Sequence, residues 1–185
     1  KRNKVRVPLG CYVSPNYKNP DKGLRELITN NEDLMDYDQI MKIQPLELEL
    51  TDMDLVGLQK SDNLDEAHVN KLLPYPLRFH QVWMHRGKKE QHNLYAWKPV
   101  PPSRDYVAIG MVITHVPAEP AVDCIRCLPR RWVRPATMPP TCVWTDLGTG
   151  GRKGSIWVVN TMGLAIFHNG HEKPQGPFYE MVEPR

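Results

Sequence analysis

The alternation of apolar and polar positions predicts a chain built mostly from β-strands. In residues 45–51 leucine alternates with glutamate or threonine, which places the leucines on one face of a half-buried strand. After Leu77, short apolar runs alternate with glycine- and proline-containing turns, a spacing typical of an antiparallel sandwich or prism. The strands predicted in this second part are residues 78–84, 93–99, 106–114, 121–128, 141–144, 154–160, 163–168 and 177–182.

The N-terminal third predicts short helices around the leucine strand. Helical patterns cover residues 21–28, 31–40 and 62–73, and each begins at an Asp or Asn that can cap it. The prolines at 74 and 76 end the third helix. We therefore divide the chain into an N-terminal segment, residues 1–76, and a β-repeat module, residues 77–185. The leucine strand leaves open whether the segment folds separately or adds strands to the module.

Two tryptophan-containing units recur about 60 residues apart, a period in the range of a supersecondary repeat. Residues 82–83 and 143–144 are both Val-Trp, and each pair precedes a strand with its own tryptophan, Trp97 or Trp157. A hairpin cannot bury its own apolar face, so a large flat side chain and a second unit are needed to cover it. The predicted fold is mainly β, an antiparallel β-sandwich or β-prism built from two Trp-anchored repeat units, with short helices in the N-terminal third.

Composition narrows the class of protein. With 41% hydrophobic and 24% charged residues the chain is typical of a globular protein, and its net charge of +3 is too small to predict a nucleic-acid partner. No apolar run is long enough for a transmembrane helix. The start of the chain shows neither a signal peptide nor an initiator Met, so we expect a fragment of a larger parent chain.

The four cysteines predict free thiols and no metal site. Cys124 and Cys127 form a C-x-x-C pair, but zinc would need two further ligands, and the candidates are Cys142, His115 and His171. Because the pair falls in a predicted strand, alternation would send its side chains to opposite faces. Sparse cysteines of this kind fit reduced thiols in a cytosolic protein.

The glycine-rich run at residues 148–154 predicts a flexible hairpin loop. It lacks the residue order of a phosphate-binding loop, and a strand rather than a helix follows it. Neither a nucleophile with its base nor an acid–base pair can be assembled from the sequence. We therefore expect a non-catalytic protein without a cofactor.

Four arginines lie close to Trp132 in the second part of the chain. Arginines interleaved with tryptophan suit a phosphate-bearing partner such as acidic lipid, although a charged run is more often a solvated face. Direct binding to acidic phospholipid membranes is the alternative function. The residues that would carry it are Arg126, Arg130, Arg131 and Arg134.

An ordered series of segments resembles the adaptor-binding repeats of the vacuolar protein sorting thirteen family and the related Vps sixty-two domain. Residues 94–110, LYAWKPVPPSRDYVAIG, resemble the signature W-(K/R)-P-V-x-P-x-G-Y-x-A-L-G, except that Arg104 and Asp105 stand before the tyrosine. The resemblance covers residues 77–182, whereas residues 1–76 resemble no family that we recognise. The further matching segments are VDCIRCL at 122–128, VWTDLGTGG at 143–151 and SIW at 155–157.

The resemblance implies a cytoplasmic module, peripheral to organelle membranes, in a large lipid-transfer protein of membrane contact sites. The repeats of that family bind short Pro-X-Pro motifs of organelle adaptors and have no catalytic activity. An exposed sheet edge beside aromatic pockets is the usual means of binding such a peptide. We predict that Tyr95, Trp97 and Tyr106 lie near the groove and that Asn160 holds a backbone with its donor and acceptor together.

Overall fold

The protein, analysed as a computed structural model, is described over residues 4–15, 35–37, 41–51, 66–86, 93–147 and 152–182. These residues are mainly β, with antiparallel strand pairs and little helix, which confirms the predicted class. The elements before residue 86 are β1 (Lys4–Pro15), β2 (Met35–Tyr37), β3 (Met41–Thr51), α1 (Glu66–Leu72) and β4 (Arg78–His85).

Short strands dominate the remainder of the described chain. They are β5 (Leu94–Val100), β6 (Tyr106–Val107), β7 (Val112–Thr114), β8 (Leu128–Pro129), β9 (Val133–Pro135), β10 (Thr141–Thr145), β11 (Ser155–Val158), β12 (Ala165–His168) and β13 (Tyr179–Met181). Two turns of 3-10 helix lie at Val122–Cys124 and Arg130–Trp132. In the part of the chain that is described, no helix has the length and apolar character needed to cross a bilayer.

Two three-stranded antiparallel sheets repeat the same order along the chain. One is β4-β5-β7 and the other is β10-β11-β12. Each central strand carries a tryptophan: Trp97 of β5 is paired with Gln81, and Trp157 of β11 is paired with Cys142. The two tryptophans therefore occupy equivalent register positions in the two sheets.

The same irregularity follows these pairs in both sheets. The register shifts between Gln81 and Trp83 of β4, and again between Cys142 and Trp144 of β10. A bulge inserts one extra residue and bends the strand, and here the extra residue is the valine of each Val-Trp pair. The assembly of these sheets into a sandwich or prism of Trp-anchored units stays a prediction.

Trp83 joins the apolar faces of the two sheets. Its indole is buried, and its ring centroid lies 5.6 Å from that of Trp144 and 6.0 Å from that of Phe167. On another side, its Nε1 donates to the Arg152 carbonyl at 3.4 Å. A Cβ at Gly154 would lie 2.0 Å from the same Nε1, so only glycine fits beneath the ring.

Two glycines, Gly10 and Gly110, allow strand β1 to pack closely against the second part of the chain. β1 lies at one edge of a β1-β3-β2 sheet, and its buried Leu9 shares an apolar cluster with Leu164. A Cβ at Gly110 would lie 2.5 Å from the Leu9 carbonyl oxygen, and Gly10 has a φ of 140°, which favours glycine. The division of the chain at residue 76 stays a prediction.

The N-terminal third follows the prediction only in part. The leucine strand is confirmed as β3, and α1 falls within the predicted helix 62–73, whose first four residues lie outside the described chain. The helix predicted over residues 31–40 is wrong at Met35–Tyr37, which form a strand paired with β3. The helix predicted over residues 21–28 lies outside the described residues.

The strand predicted over residues 121–128 is also wrong. A 3-10 turn replaces its first half, and the next residues make single contacts to other segments: Arg126 N donates to Pro8 O, and Cys127 N donates to Pro74 O. The strand predicted over 106–114 is interrupted, with residues 108–111 lying between β6 and β7. Tertiary contacts to β1 override the local β pattern in both segments.

Candidate functional site

A cavity of about 430 Å³ opens beside β12. Its walls come from β12 and the residue after it, from residues 108–111, and from the C-terminal residues 174–179. Its volume falls in the range of sites that take small ligands or a few side chains. A cavity of this size has room for part of another molecule.

The floor of this cavity is apolar and its rim carries charge. Met111 and Phe167 are buried in the floor, and Phe178 is half-buried beside them. Lys98 stands exposed at the rim, and His168 lies 3.3 Å from the Glu172 carboxylate through its Nε2. An apolar group flanked by an acidic one would match this distribution.

The outer edge of β12 faces into the cavity. β12 is the outer strand of its sheet, and alternate residues of an edge strand turn their backbone N–H and C=O away from the sheet. At Phe167 this outward N–H donates to the Met111 thioether, with N and Sδ 3.3 Å apart. A thioether is a weak acceptor, so a peptide carbonyl at this position would form a stronger hydrogen bond.

Tyr95 and Trp97 lie on the other face of β5 from the cavity. They are buried in an apolar cluster with Phe79 and Ile125. The Trp97 Nε1 donates to Thr114 Oγ1 at 2.8 Å. These two side chains are part of the core, and neither lines the cavity.

Tyr106 and Asn160 hold the protein's own backbone. The half-buried Tyr106 donates its hydroxyl to the Lys71 carbonyl at 3.2 Å. The buried Asn160 donates from Nδ2 to the Tyr179 carbonyl at 3.0 Å and accepts from the N–H of Met162 and Leu164. Because Tyr179 lines the cavity, Asn160 fixes one wall of it.

The four predicted lipid-binding arginines fall into two kinds. Arg126 is buried, with its guanidinium 3.6 Å from the Tyr75 ring centroid and a donor 3.0 Å from the Leu73 carbonyl. Arg134 forms an ion pair with a buried carboxylate. Arg130 and Arg131 are exposed. The fold therefore uses Arg126 in its core and Arg134 in an ion pair, although the Arg134 side chain is 55% exposed, whereas Arg130 and Arg131 form no ion pair within the described residues.

Glu180 is a buried carboxylate that the sequence did not single out. Its side chain is 1% exposed and accepts from Arg134 Nε at 2.9 Å, from Thr137 Oγ1 at 3.2 Å and from Thr161 Oγ1 at 3.1 Å. Burial alone would raise its pKa, but these hydrogen bonds outweigh burial and the net pKa is lowered. The carboxylate ties β9 and β13 to the turn after β11.

Asp146 closes the glycine-rich hairpin loop. Its buried carboxylate accepts the Gly154 N–H at 2.9 Å and lies 2.6 Å from His171 Nε2. The Asp146 N–H also donates to the Gly154 carbonyl at 3.1 Å. Part of the loop it closes lies outside the described residues. The isolated aspartate gave no signal of this role, because its partner is 25 residues away.

The cysteines are free and differ in accessibility, which allows a direct test. Burial raises the pKa of Cys11 and of Cys127 to about 12, and that of Cys124 to about 11, whereas Cys142 is exposed. Since the thiolate is the reactive form, we expect a thiol reagent at pH 8 to label one cysteine quickly in the folded protein and four in denaturant. Cys142→Ser should remove the fast reaction, and fast labelling that persists in this variant would contradict the described burial.

Comparison with known proteins shows the family. The profile described as Vacuolar protein sorting-associated protein 62 matches residues 39–159, more than half of the chain. The chain belongs to this family. The match begins within the N-terminal segment, so part of residues 1–76 belongs to it as well, which corrects the sequence interpretation. The closer relation to the adaptor-binding repeats of the vacuolar protein sorting thirteen family stays a prediction.

A solved structure, that of GNIP1Aa from Chromobacterium piscinae, is similar to this chain with a TM-score of 0.47 and 16% sequence identity. The alignment covers 93% of this chain and 33% of the GNIP1Aa chain, so this chain spans about a third of the length of GNIP1Aa. Among curated proteins, none matches the sequence.

Proposed function

We propose that this protein is a non-catalytic binding module of a vacuolar sorting-related protein and that it captures short proline-containing peptides of an organelle adaptor in the β12 cavity. The observation that carries the proposal is the Phe167 N–H, which is bonded to the Met111 thioether between two residues that line the cavity. A bound peptide backbone would exchange this weak bond for an amide–carbonyl bond.

The shape of the cavity suits an extended peptide. A peptide that pairs with a strand edge gains main-chain hydrogen bonds, and its alternate side chains enter pockets. Proline loses little conformational entropy on binding, and its ring packs well against an aromatic wall such as the half-buried Phe178. Lys98 at the rim favours an acidic residue next to the prolines.

The cellular setting is part of the same proposal. Membership in the vacuolar sorting family favours a cytoplasmic location at the surface of organelle membranes. We infer that the module belongs to a larger lipid-transfer protein of membrane contact sites and that the adaptor recruits this protein to its organelle. The partner is therefore a protein or peptide displayed on the cytoplasmic face of a membrane.

Filling the cavity tests the peptide site. Ala108 is half-buried in the cavity wall, so Ala108→Trp should place an indole where the peptide would lie. We expect the affinity for a dye-labelled Pro-X-Pro peptide, measured by fluorescence anisotropy, to fall about 30-fold, equivalent to about 2 kcal/mol. Binding of a Pro-X-Pro peptide without acidic residues should change little with salt, because the cavity floor is apolar.

Ala118→Trp is the matched control, since Ala118 is exposed in the loop after β7 and does not line the cavity. This variant should bind the peptide as the parent protein does. Equal loss in both variants, or full binding by Ala108→Trp, would show that the cavity is not the peptide site. Matching thermal unfolding curves exclude loss of fold as the cause.

A further inference from the structure

Arg130 is an exposed cation that the fold holds in one place. Its Nε donates to the Arg104 carbonyl at 2.9 Å, and its Nη1 donates to the Tyr179 hydroxyl at 3.1 Å. The Arg130 backbone N–H is fixed as well, by the Asp105 carbonyl at 2.7 Å. A guanidinium anchored at both its side chain and its backbone loses little entropy when it binds a ligand.

The anchored guanidinium keeps donors for a ligand. Arginine has five N–H donors, and the contacts within the described chain use two of those on Arg130. The remaining three belong to a planar fork that matches the oxygens of a phosphate group. Arg126 and Arg134 do not offer this, because Arg126 is buried and the charge of Arg134 is paired with the Glu180 carboxylate.

Further cations lie on segments next to Arg130. Arg131 follows Arg130 in the same 3-10 turn, and the carbonyl of Arg104 accepts a hydrogen bond from the Arg130 Nε. Lys71 belongs to the adjacent segment, because its carbonyl accepts the hydroxyl of Tyr106 in the neighbouring strand β6. All four side chains are exposed, and none forms an ion pair with a carboxylate of the described residues. We name this set, Lys71, Arg104, Arg130 and Arg131, the Arg130 surface.

One acidic side chain belongs to the same segment. The Asp105 carboxylate lies 3.5 Å from Ser103 Oγ, in the turn that precedes β6. It does not pair with any cation of the described chain. The formal charge of the Arg130 surface therefore stays positive with Asp105 included.

Apolar groups beside the arginines favour a lipid over a nucleic acid. Trp132 is half-buried next to Arg131, and its carbonyl accepts the N–H of Val182, which is 37% exposed. Tryptophan is suited to the boundary between water and an apolar phase. Cations flanked by such groups match a headgroup layer, whereas a nucleic-acid surface calls for a longer basic stripe than a net charge of +3 supplies.

We propose that the Arg130 surface docks on the phosphate groups of an anionic membrane. Arg130 binds a headgroup phosphate with its fork, Arg131, Arg104 and Lys71 add long-range attraction, and Trp132 with Val182 lies at the headgroup level. This surface is separate from the peptide cavity except at Tyr179, whose residue lines the cavity and whose hydroxyl anchors Arg130. The protein would thus contact a membrane and an adaptor peptide at adjoining places.

The test is co-sedimentation with vesicles of equal parts phosphatidylcholine and phosphatidylserine, compared with phosphatidylcholine alone. Arg130→Gln combined with Arg131→Gln should lower partitioning onto the anionic vesicles about 10- to 30-fold, since each interfacial cation contributes about fivefold. Arg130→Lys, which keeps the charge and loses the fork, should lower it about threefold. Raising the salt should weaken binding of the parent protein in the same direction.

Arg152→Gln combined with Lys153→Gln is the matched control, because it removes the same charge from an exposed part of the hairpin loop. Full partitioning by this control supports the proposal, whereas equal loss would show that net charge alone drives binding. One further outcome would overturn the proposal: tighter binding to a DNA duplex that the same arginine variants weaken. The peptide assay with Ala108→Trp reports on the cavity independently.

Discussion

Gly154→Ala is expected to lower the free energy of unfolding by about 3 kcal/mol, the upper range for overpacking a core. The added Cβ would lie 2.0 Å from Nε1 and 2.4 Å from Cε2 of Trp83, far inside van der Waals contact. The indole cannot move away cheaply, because it is buried and packed against Trp144 and Phe167. Urea unfolding followed by tryptophan fluorescence measures the effect.

A double-mutant cycle assigns this cost to the contact. Gly154→Ala should cost at least about 1.5 kcal/mol less in a Trp83→Leu background, where the ring that it meets is gone. Lys153→Ala, one residue earlier and exposed, should change stability by less than about 0.5 kcal/mol. An equal cost of Gly154→Ala in both backgrounds would place the strain elsewhere than at Trp83.

The sequence predicted the central β-strands because their signal is local. The Val-Trp pairs and the strands that follow them fall at β4, β5, β10 and β11, and the tryptophans that the pattern assigns to the core are buried or half-buried. A bulky aromatic side chain in a short apolar strand favours burial by itself, because it has a large apolar area to remove from water. The pattern could not predict the bulges, since an extra residue in a strand shows only when its partner strand is known.

The wrong predictions lie where distant contacts decide the structure. Residues 121–128 alternate like a strand, but their backbone bonds go to Pro8 and Pro74, more than 50 residues earlier. Arg126 belongs to a basic run that suggests a solvated face, yet it is buried through a stacking contact with Tyr75. A sequence pattern records periodicity and not the identity of a remote partner, so these outcomes could not be derived from it.

The position of the candidate site could not be predicted from the sequence. The sequence predicted a sheet edge beside aromatic side chains, and the cavity has a strand edge and Phe167 in its wall. It predicted Tyr95 and Trp97 as binding residues. Side chains alternate between the two faces of β5, so these two lie in the core on one face while Lys98 lines the cavity on the other. Choosing between the two faces of β5 requires knowledge of which strands pack on each face.

Arg134→Met is expected to destabilise the protein by about 2 kcal/mol at pH 7, which is less than the cost of breaking a fully buried ion pair because the Arg134 side chain is 55% exposed and partly screened by solvent. Methionine preserves most of the apolar stem of the arginine and removes its charge. Glu180, which is 1% exposed, would then keep a negative charge in the interior with Thr137 and Thr161 as its remaining hydrogen-bond donors. Urea unfolding at a series of pH values measures both the size of the effect and its dependence on protonation.

The pH dependence follows from the direction of the Glu180 pKa. In the parent protein this pKa is lowered from the usual 4.5, so the pair contributes stability that is complete above pH 4.5 and is lost as pH falls through the folded value. Without Arg134, burial dominates and the carboxyl group takes up a proton at higher pH. The difference in stability between the parent and Arg134→Met should therefore be largest near pH 7 and should shrink below pH 4.5.

Two controls separate the ion pair from other effects of the substitution. Arg131→Met removes an exposed arginine from the same segment and should cost less than about 0.5 kcal/mol. Arg134→Met should cost less in a Glu180→Gln background, because no carboxylate is then left buried. If Arg134→Met cost as little as Arg131→Met, or cost the same at every pH, then Glu180 would not depend on Arg134, and the charge that joins β9 to β13 would be held by the threonines alone.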